Sequence, residues 1–136
     1  MSGNALEVVE PAAFINTPAL EHVNLSRNAI ADFHPATFQD LLGLYELDVG
    51  WNRLRELVPN LPRGLEYLHA PRNQLTTLPH APSLNLPALR LLDLTGNGIH
   101  HIMPGTMTNL VQLRWLHLGE NALQTLEEGA LRGLSR

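Results

Sequence analysis

Leu89 to Ile99 reads LRLLDLTGNGI, with aliphatic residues at its first, fourth, sixth and eleventh positions and asparagine at its ninth. Working outward from Asn97, an asparagine two residues before an apolar residue recurs at Asn4, Asn28, Asn52, Asn73 and Asn121, with intervals of 24, 24, 21, 24 and 24 residues along the chain. Self-similarity at this period is the mark of a stacked repeat, in which one unit cannot bury its apolar side chains alone and neighbours supply the rest of the core. The LxL centre of each unit suits a short strand, because alternate side chains then share one face. The asparagine stands where the backbone leaves the strand, and its amide, donor and acceptor together, can satisfy turn groups that no sheet partner reaches.

The chain has 136 residues, 44% hydrophobic, 16% charged and only 5% aromatic, so it has a core, and one built from uniform aliphatic layers. A net charge of −4 argues against a nucleic-acid binder, which needs clustered cations. Cysteine is absent, which removes disulfides, thiolate metal sites and a thiol nucleophile. No apolar run approaches the roughly 18 residues that would span a bilayer, and the opening MSGNALEVVEP lacks the basic and long apolar regions of a signal peptide.

Taken in order, residues 1–19 are a partial unit, and whole units follow at 20–43, 44–64, 65–88, 89–112 and 113–136, forming a single solenoid over 1–136. Phe33, Pro35, Phe38 and Leu41 fill the first return, where Phe38 and Leu41 suit one short helical or 3₁₀ turn, and Phe14 should stack on Phe38. Pro59 and Pro62 make the second return extended. In the third unit Ala70 stands in place of a core leucine and should leave a gap. Pro71 after it removes a donor, which predicts that the strand ladder ends there. Pro79, Pro82 and Pro87 make the third return the irregular one, with Leu84 and Leu86 still turned inward. Ile102, Met107 and Leu110 serve the fourth return, and Leu126, Leu131 and Leu134 the fifth. No polar capping unit is visible at either end, which implies a fragment with further repeats on both sides.

These motifs resemble leucine-rich repeats along the whole chain, and the 24-residue units, with Phe38 and Leu41 in register within IADFHPATFQDLLG, resemble the typical subfamily. The mixture of 24- and 21-residue units is similar to small leucine-rich proteoglycans and to Toll-like or chaoptin-like ectodomains. The single unit LPRGLEYLHAPRNQLTTLP looks more like the short repeats of bacterial effectors. The resemblance implies an α/β repeat fold: a curved right-handed coil with short parallel strands on its concave face and extended, 3₁₀ or short helical returns on the convex one. It also implies a protein-binding role in an extracellular or cell-surface receptor, adhesion or matrix protein, the alternative being a cytoplasmic scaffold or effector-like recognition domain.

If the units stack, outward strand positions become rows. The third position gives His22, Glu46, Tyr67, Leu91 and Trp115; the fifth gives Asn24, Asp48, His69, Asp93 and His117; the seventh gives Ser26, Gly50, Pro71, Thr95 and Gly119. Exposed aromatics rimmed by charge are what a protein-binding patch looks like, although Tyr67 and Trp115 could equally cover aliphatic neighbours. With Trp51 and Arg72 beside them, the members His22, Asn24, Glu46, Asp48, Tyr67, His69, Leu91, Asp93, Thr95, Trp115 and His117 are the candidate surface for a protein ligand or co-receptor. Alternating Asp and His in the fifth row could serve a metal or an acid–base pair, but parallel strands point such groups the same way rather than toward one centre, and no nucleophile joins them. The sequence therefore assigns no catalytic residue, metal, cofactor, nucleic-acid partner or membrane insertion, and reads as a binder rather than an enzyme. His100 and His101 are ordinary loop residues. Asn24-Leu25-Ser26 matches the N-glycosylation triplet, while Asn4, Asn28, Asn52, Asn73, Asn97 and Asn121 are assigned to structure.

Overall fold

The computed structural model describes residues 3–78, 84–103 and 105–123. Five strands of three residues each, β1 (His22–Asn24), β2 (Glu46–Asp48), β3 (Tyr67–His69), β4 (Leu91–Asp93) and β5 (Trp115–His117), form one parallel sheet in chain order. The register is constant: His22 lies against Glu46, Glu46 against Tyr67, Tyr67 against Leu91 and Leu91 against Trp115. The middle residue of each strand points inward, and Leu47, Leu68 and Leu92 are fully buried with Leu44, Leu65, Leu89, Leu54, Leu75 and Ile99 behind them. One coil thus hands its leucines to the next, as a solenoid requires.

The asparagines close each coil. The Asn52 amide donates to the carbonyls of Val49 and Gly50 in its own turn and of Leu25 one coil earlier, at 2.9–3.1 Å, while its oxygen accepts the Ile30 amide at 3.0 Å. Asn73 repeats this with Leu54, Val49, Ala70 and Pro71. Asn97 and Asn121 repeat it further along, and Asn28 accepts from Leu6. Asn4 lies exposed in the first described turn.

On the return side, Phe38 is fully buried between Phe14, with ring centroids 5.7 Å apart and planes at 27°, and Phe33 at 5.1 Å. The expected helical turn takes a looser form: Leu41 donates to Phe38 and Leu44 to Leu41, single i to i+3 turns that do not merge into a helix among the described residues. No described helix is long and apolar enough to cross a membrane. Leu84 and Leu86 are buried; Pro79, Pro82, Leu126, Leu131 and Leu134 fall outside the described residues. Where the shortened second return faces the third, a cleft of about 840 Å³ opens between Leu57, Val58, Leu61, Leu84 and Leu86.

Pro71 does not end the ladder. Ala70 donates to Asp93 O and Arg72 to Thr95 O, both at 2.8 Å, and the Trp51 amide donates to Pro71 O at 2.8 Å. The reason lies in the seventh position, whose N–H is not what joins one coil to the next. In three coils it turns back onto the fifth side chain: Ser26 onto Asn24 Oδ1, Gly50 onto Asp48 Oδ1 and Thr95 onto Asp93 Oδ1, at 2.9–3.0 Å. This is an Asx turn. In the third coil the fifth residue, His69, turns its Nε2 to Glu46, and the seventh is proline, which has no donor to satisfy. The Pro71 ring instead packs where a Cβ on Gly50 would sit, 2.8 Å away. Ala70 is fully buried between Val49 and Leu94 in its row, both also fully buried.

Candidate functional site

The outward residues of the sheet gather into three groups. At the β1 end, Glu46 sits between two imidazoles from different rows: its Oε1 is 3.0 Å from His22 Nδ1 and its Oε2 3.0 Å from His69 Nε2. His22 Nε2 in turn lies 2.8 Å from the Tyr45 hydroxyl, so an Nδ1-protonated ring donates to Glu46 and accepts from Tyr45. The His22 and Tyr45 rings meet edge-on at 4.5 Å, and Tyr45 meets Tyr67 at 6.4 Å. Tyr67 is accordingly half-buried in an aromatic chain.

Burial by itself would raise the Glu46 carboxyl, but the hydrogen bonds from His69 and His22, with the charge of those rings when protonated, outweigh it and hold the carboxyl below its ordinary value. A depressed carboxyl stabilises the fold above the ordinary carboxylate range, and that contribution is lost as pH falls through the lowered folded-state value. Glu46→Gln should therefore have a lower urea midpoint than the parent at about pH 5, with the gap closing toward about pH 3. Because the side chain is 38% exposed, the gap is small. A gap that stays constant over this range would remove Glu46 as its source.

The fifth row does not form Asp–His pairs. Asp48 and Asp93 cap their own turns, and His69 bonds to Glu46 instead. Asn24 is exposed, but its Oδ1 accepts from both the Ser26 amide and, at 2.6 Å, the Ser26 hydroxyl. Both bonds are made by Oδ1, the acceptor of an Asx turn. Among the described residues no group of three or more His, Cys, Asp or Glu could hold a metal ion. Leu91 is half-buried, Thr95 likewise, and His117 is exposed beside Trp115, which is 49% exposed.

A third group lies along the eighth motif position, a row that the sequence reading represented only through Trp51 and Arg72. Arg27, Trp51, Arg72, Gly96 and Glu120 all adopt the left-handed conformation, with φ of 54–71°. The first four donate their amides to the seventh-position carbonyl of the next coil, so their side chains form a file along one edge of the sheet. The Arg27 and Arg72 guanidinium carbons lie 5.0 and 5.6 Å from the Trp51 ring centroid. Arg72 continues past its neighbour to an ion pair with Glu120 two coils on, a route open only because the intervening residue is Gly96: a Cβ there would fall 2.6 Å from Arg72 Cδ. Arg27, Tyr45 and Glu120 are members that the sequence reading missed. Extending the register to the second and eighth positions lists them.

With this geometry in view, the chain belongs to the leucine-rich repeat family, whose profile matches residues 1–54, 63–123 and 87–136. It is similar to Podocan from Mus musculus, 35% identical over 120 residues that make up 85% of this chain and 20% of that protein. It also matches Keratocan from Bos taurus, 30% identical over 93% of this chain and 37% of the relative, and Trophoblast glycoprotein from Macaca fascicularis, 31% identical over 98% and 37%. The chain thus spans between 20% and 37% of the length of these relatives. Among solved structures, the Toll–Spatzle complex from Drosophila matches with a TM-score of 0.63 at 20% identity, over 96% of this chain and 24% of that one. The TLR13–ssRNA13 complex matches with 0.62 at 24%, over 96% and 22%. These two likenesses establish the fold.

Proposed function

We propose that this chain is a ligand-recognition segment of an extracellular or cell-surface receptor, adhesion or matrix protein, that it binds a protein on its concave sheet, and that it is not an enzyme. The observation that carries the reading is Trp115: it stands half-exposed at the end of the described third-position row beside Leu91 and, among the described residues, lacks the aromatic packing that holds Tyr67. Exposed tryptophan next to apolar surface on a rigid element is the usual composition of a binding hot spot. That Trophoblast glycoprotein is among the relatives supports the compartment, and the Toll–Spatzle complex is a case of this fold engaging a partner.

The test is a screen of secreted and ectodomain proteins against the immobilised chain, followed by substitution. Trp115→Ala should weaken the recovered ligand by about 2 kcal/mol, roughly thirtyfold, and Tyr67→Ala by less, since part of that ring is already buried. His34→Ala, exposed on the return, should leave affinity unchanged. If circular dichroism reports native structure throughout and only return-side substitutions weaken binding, the convex side is the recognition surface.

A further inference from the structure

Among the described residues, Arg27 is the charged member of the eighth-position file that packs on Trp51 without an ion pair. Its guanidinium lies against the Trp51 indole, which fixes a side chain that would otherwise lose about 2 kcal/mol of rotamer entropy on binding. Two other arginines of the outward face are ion-paired at the surface, Arg72 with Glu120 and Arg90 with Glu66. Arg27 has no carboxylate within ion-pair distance among the described residues. The Arg27 guanidinium carbon stands 5.0 Å over the indole, and a guanidinium's planar fork of N–H donors matches a carboxylate with two parallel hydrogen bonds. Next to it, Trp51 is 48% exposed, so the fork is flanked by apolar surface.

We infer that Arg27 and Trp51 form an anchoring site for a single carboxylate side chain of a protein partner, with an apolar neighbour of that carboxylate lying on the indole edge. This rests on the protein-binding reading above and deepens it by fixing the chemistry of one contact. Charge selects the occupant. Glu46, Asp48 and Asp93 stand on the adjoining sheet face, and the chain as a whole carries −4. A polyanion such as a sulfated glycan would be repelled along most of its length, whereas one carboxylate between neutral residues meets only the uncompensated cation.

The probe is the capped peptide acetyl-Gly-Leu-Glu-Leu-Gly-amide, with its Gln counterpart, titrated into the 136-residue chain while the Arg27 Nε–H and Trp51 indole N–H resonances are followed. The Glu peptide should move both resonances and bind about tenfold more tightly than the Gln peptide. Arg27→Gln should abolish that preference, and Arg27→Lys should lose most of it, because lysine keeps the charge but neither the fork nor the stacking. Arg72→Gln should leave it largely intact. Equal binding of the two peptides, a full preference in Arg27→Lys, or displacement of the peptide by a heparin octasaccharide at lower concentration would each overturn the assignment. Peptide binding that moves only Trp115 overturns it while leaving the concave-face reading standing. A Glu preference at Arg27 alongside a protein ligand indifferent to Trp115→Ala supports the anchor and sinks that reading instead.

Discussion

Phe38→Ala should lower the unfolding free energy by about 3–5 kcal/mol, a large share of what holds a domain of this size together. The ring is fully buried and packed on both sides, against Phe14 of the preceding coil at 5.7 Å and Phe33 of its own at 5.1 Å. Its removal takes away transfer energy, leaves a cavity and breaks two aromatic contacts of about 0.5–1.5 kcal/mol each. The Phe14 contact belongs to the interface between coils, the term that couples one repeat to the next in a solenoid. Unfolding in urea should therefore shift to a lower midpoint and also broaden, as the first coils separate from the rest. Phe38→Leu, which keeps most of the volume, should recover more than half of the loss. A midpoint for Phe38→Ala within experimental error of the parent would mean that the return segment is not packed in this way.

That stack was legible in the sequence, since Phe14 and Phe38 are one repeat apart and a repeat rule fixes backbone register directly. The same rule yields every strand pairing and the outward rows from His22 to Trp115 and from Asn24 to His117. It does not fix where long side chains go after leaving the backbone. Glu46 and His69 belong to different rows, yet they meet because diagonal neighbours on adjacent strands are within reach of long side chains. Arg72 crosses a whole coil to reach Glu120 only because Gly96 leaves its path clear. Pro71 is compatible with the ladder for a related reason. A donor count by residue type assumes that every N–H in the strand region faces a neighbour, whereas the seventh position turns its N–H back onto its own Asx side chain, and proline there costs nothing.

Asn52→Leu should cost about 3 kcal/mol, more than the same change at Asn97 and far more than at Asn4. One amide at Asn52 serves three carbonyls and one N–H: Val49, Gly50 and Leu25 accept from it, and Ile30 donates to it. The residue is 7% exposed, so water cannot replace it, and each buried group left unpaired costs about 1–3 kcal/mol before any relaxation. Leucine is close in volume, which confines the loss to hydrogen bonding rather than packing. Asn97 makes a similar set of bonds, to Ala70 O and Leu94 O and from the Asn73 and Leu75 amides, but is only partly buried, so solvent offsets some of the loss. Asn4 is exposed in the first described turn, where water competes for the same groups. Denaturant midpoints of the three variants should accordingly fall in the order Asn52, Asn97, Asn4, with the deepest fall first. Equal falls at all three would show that burial does not set the cost and that asparagine acts at these positions through turn propensity alone; a neutral Asn52→Leu would remove the amide ladder from the forces that hold the coils together.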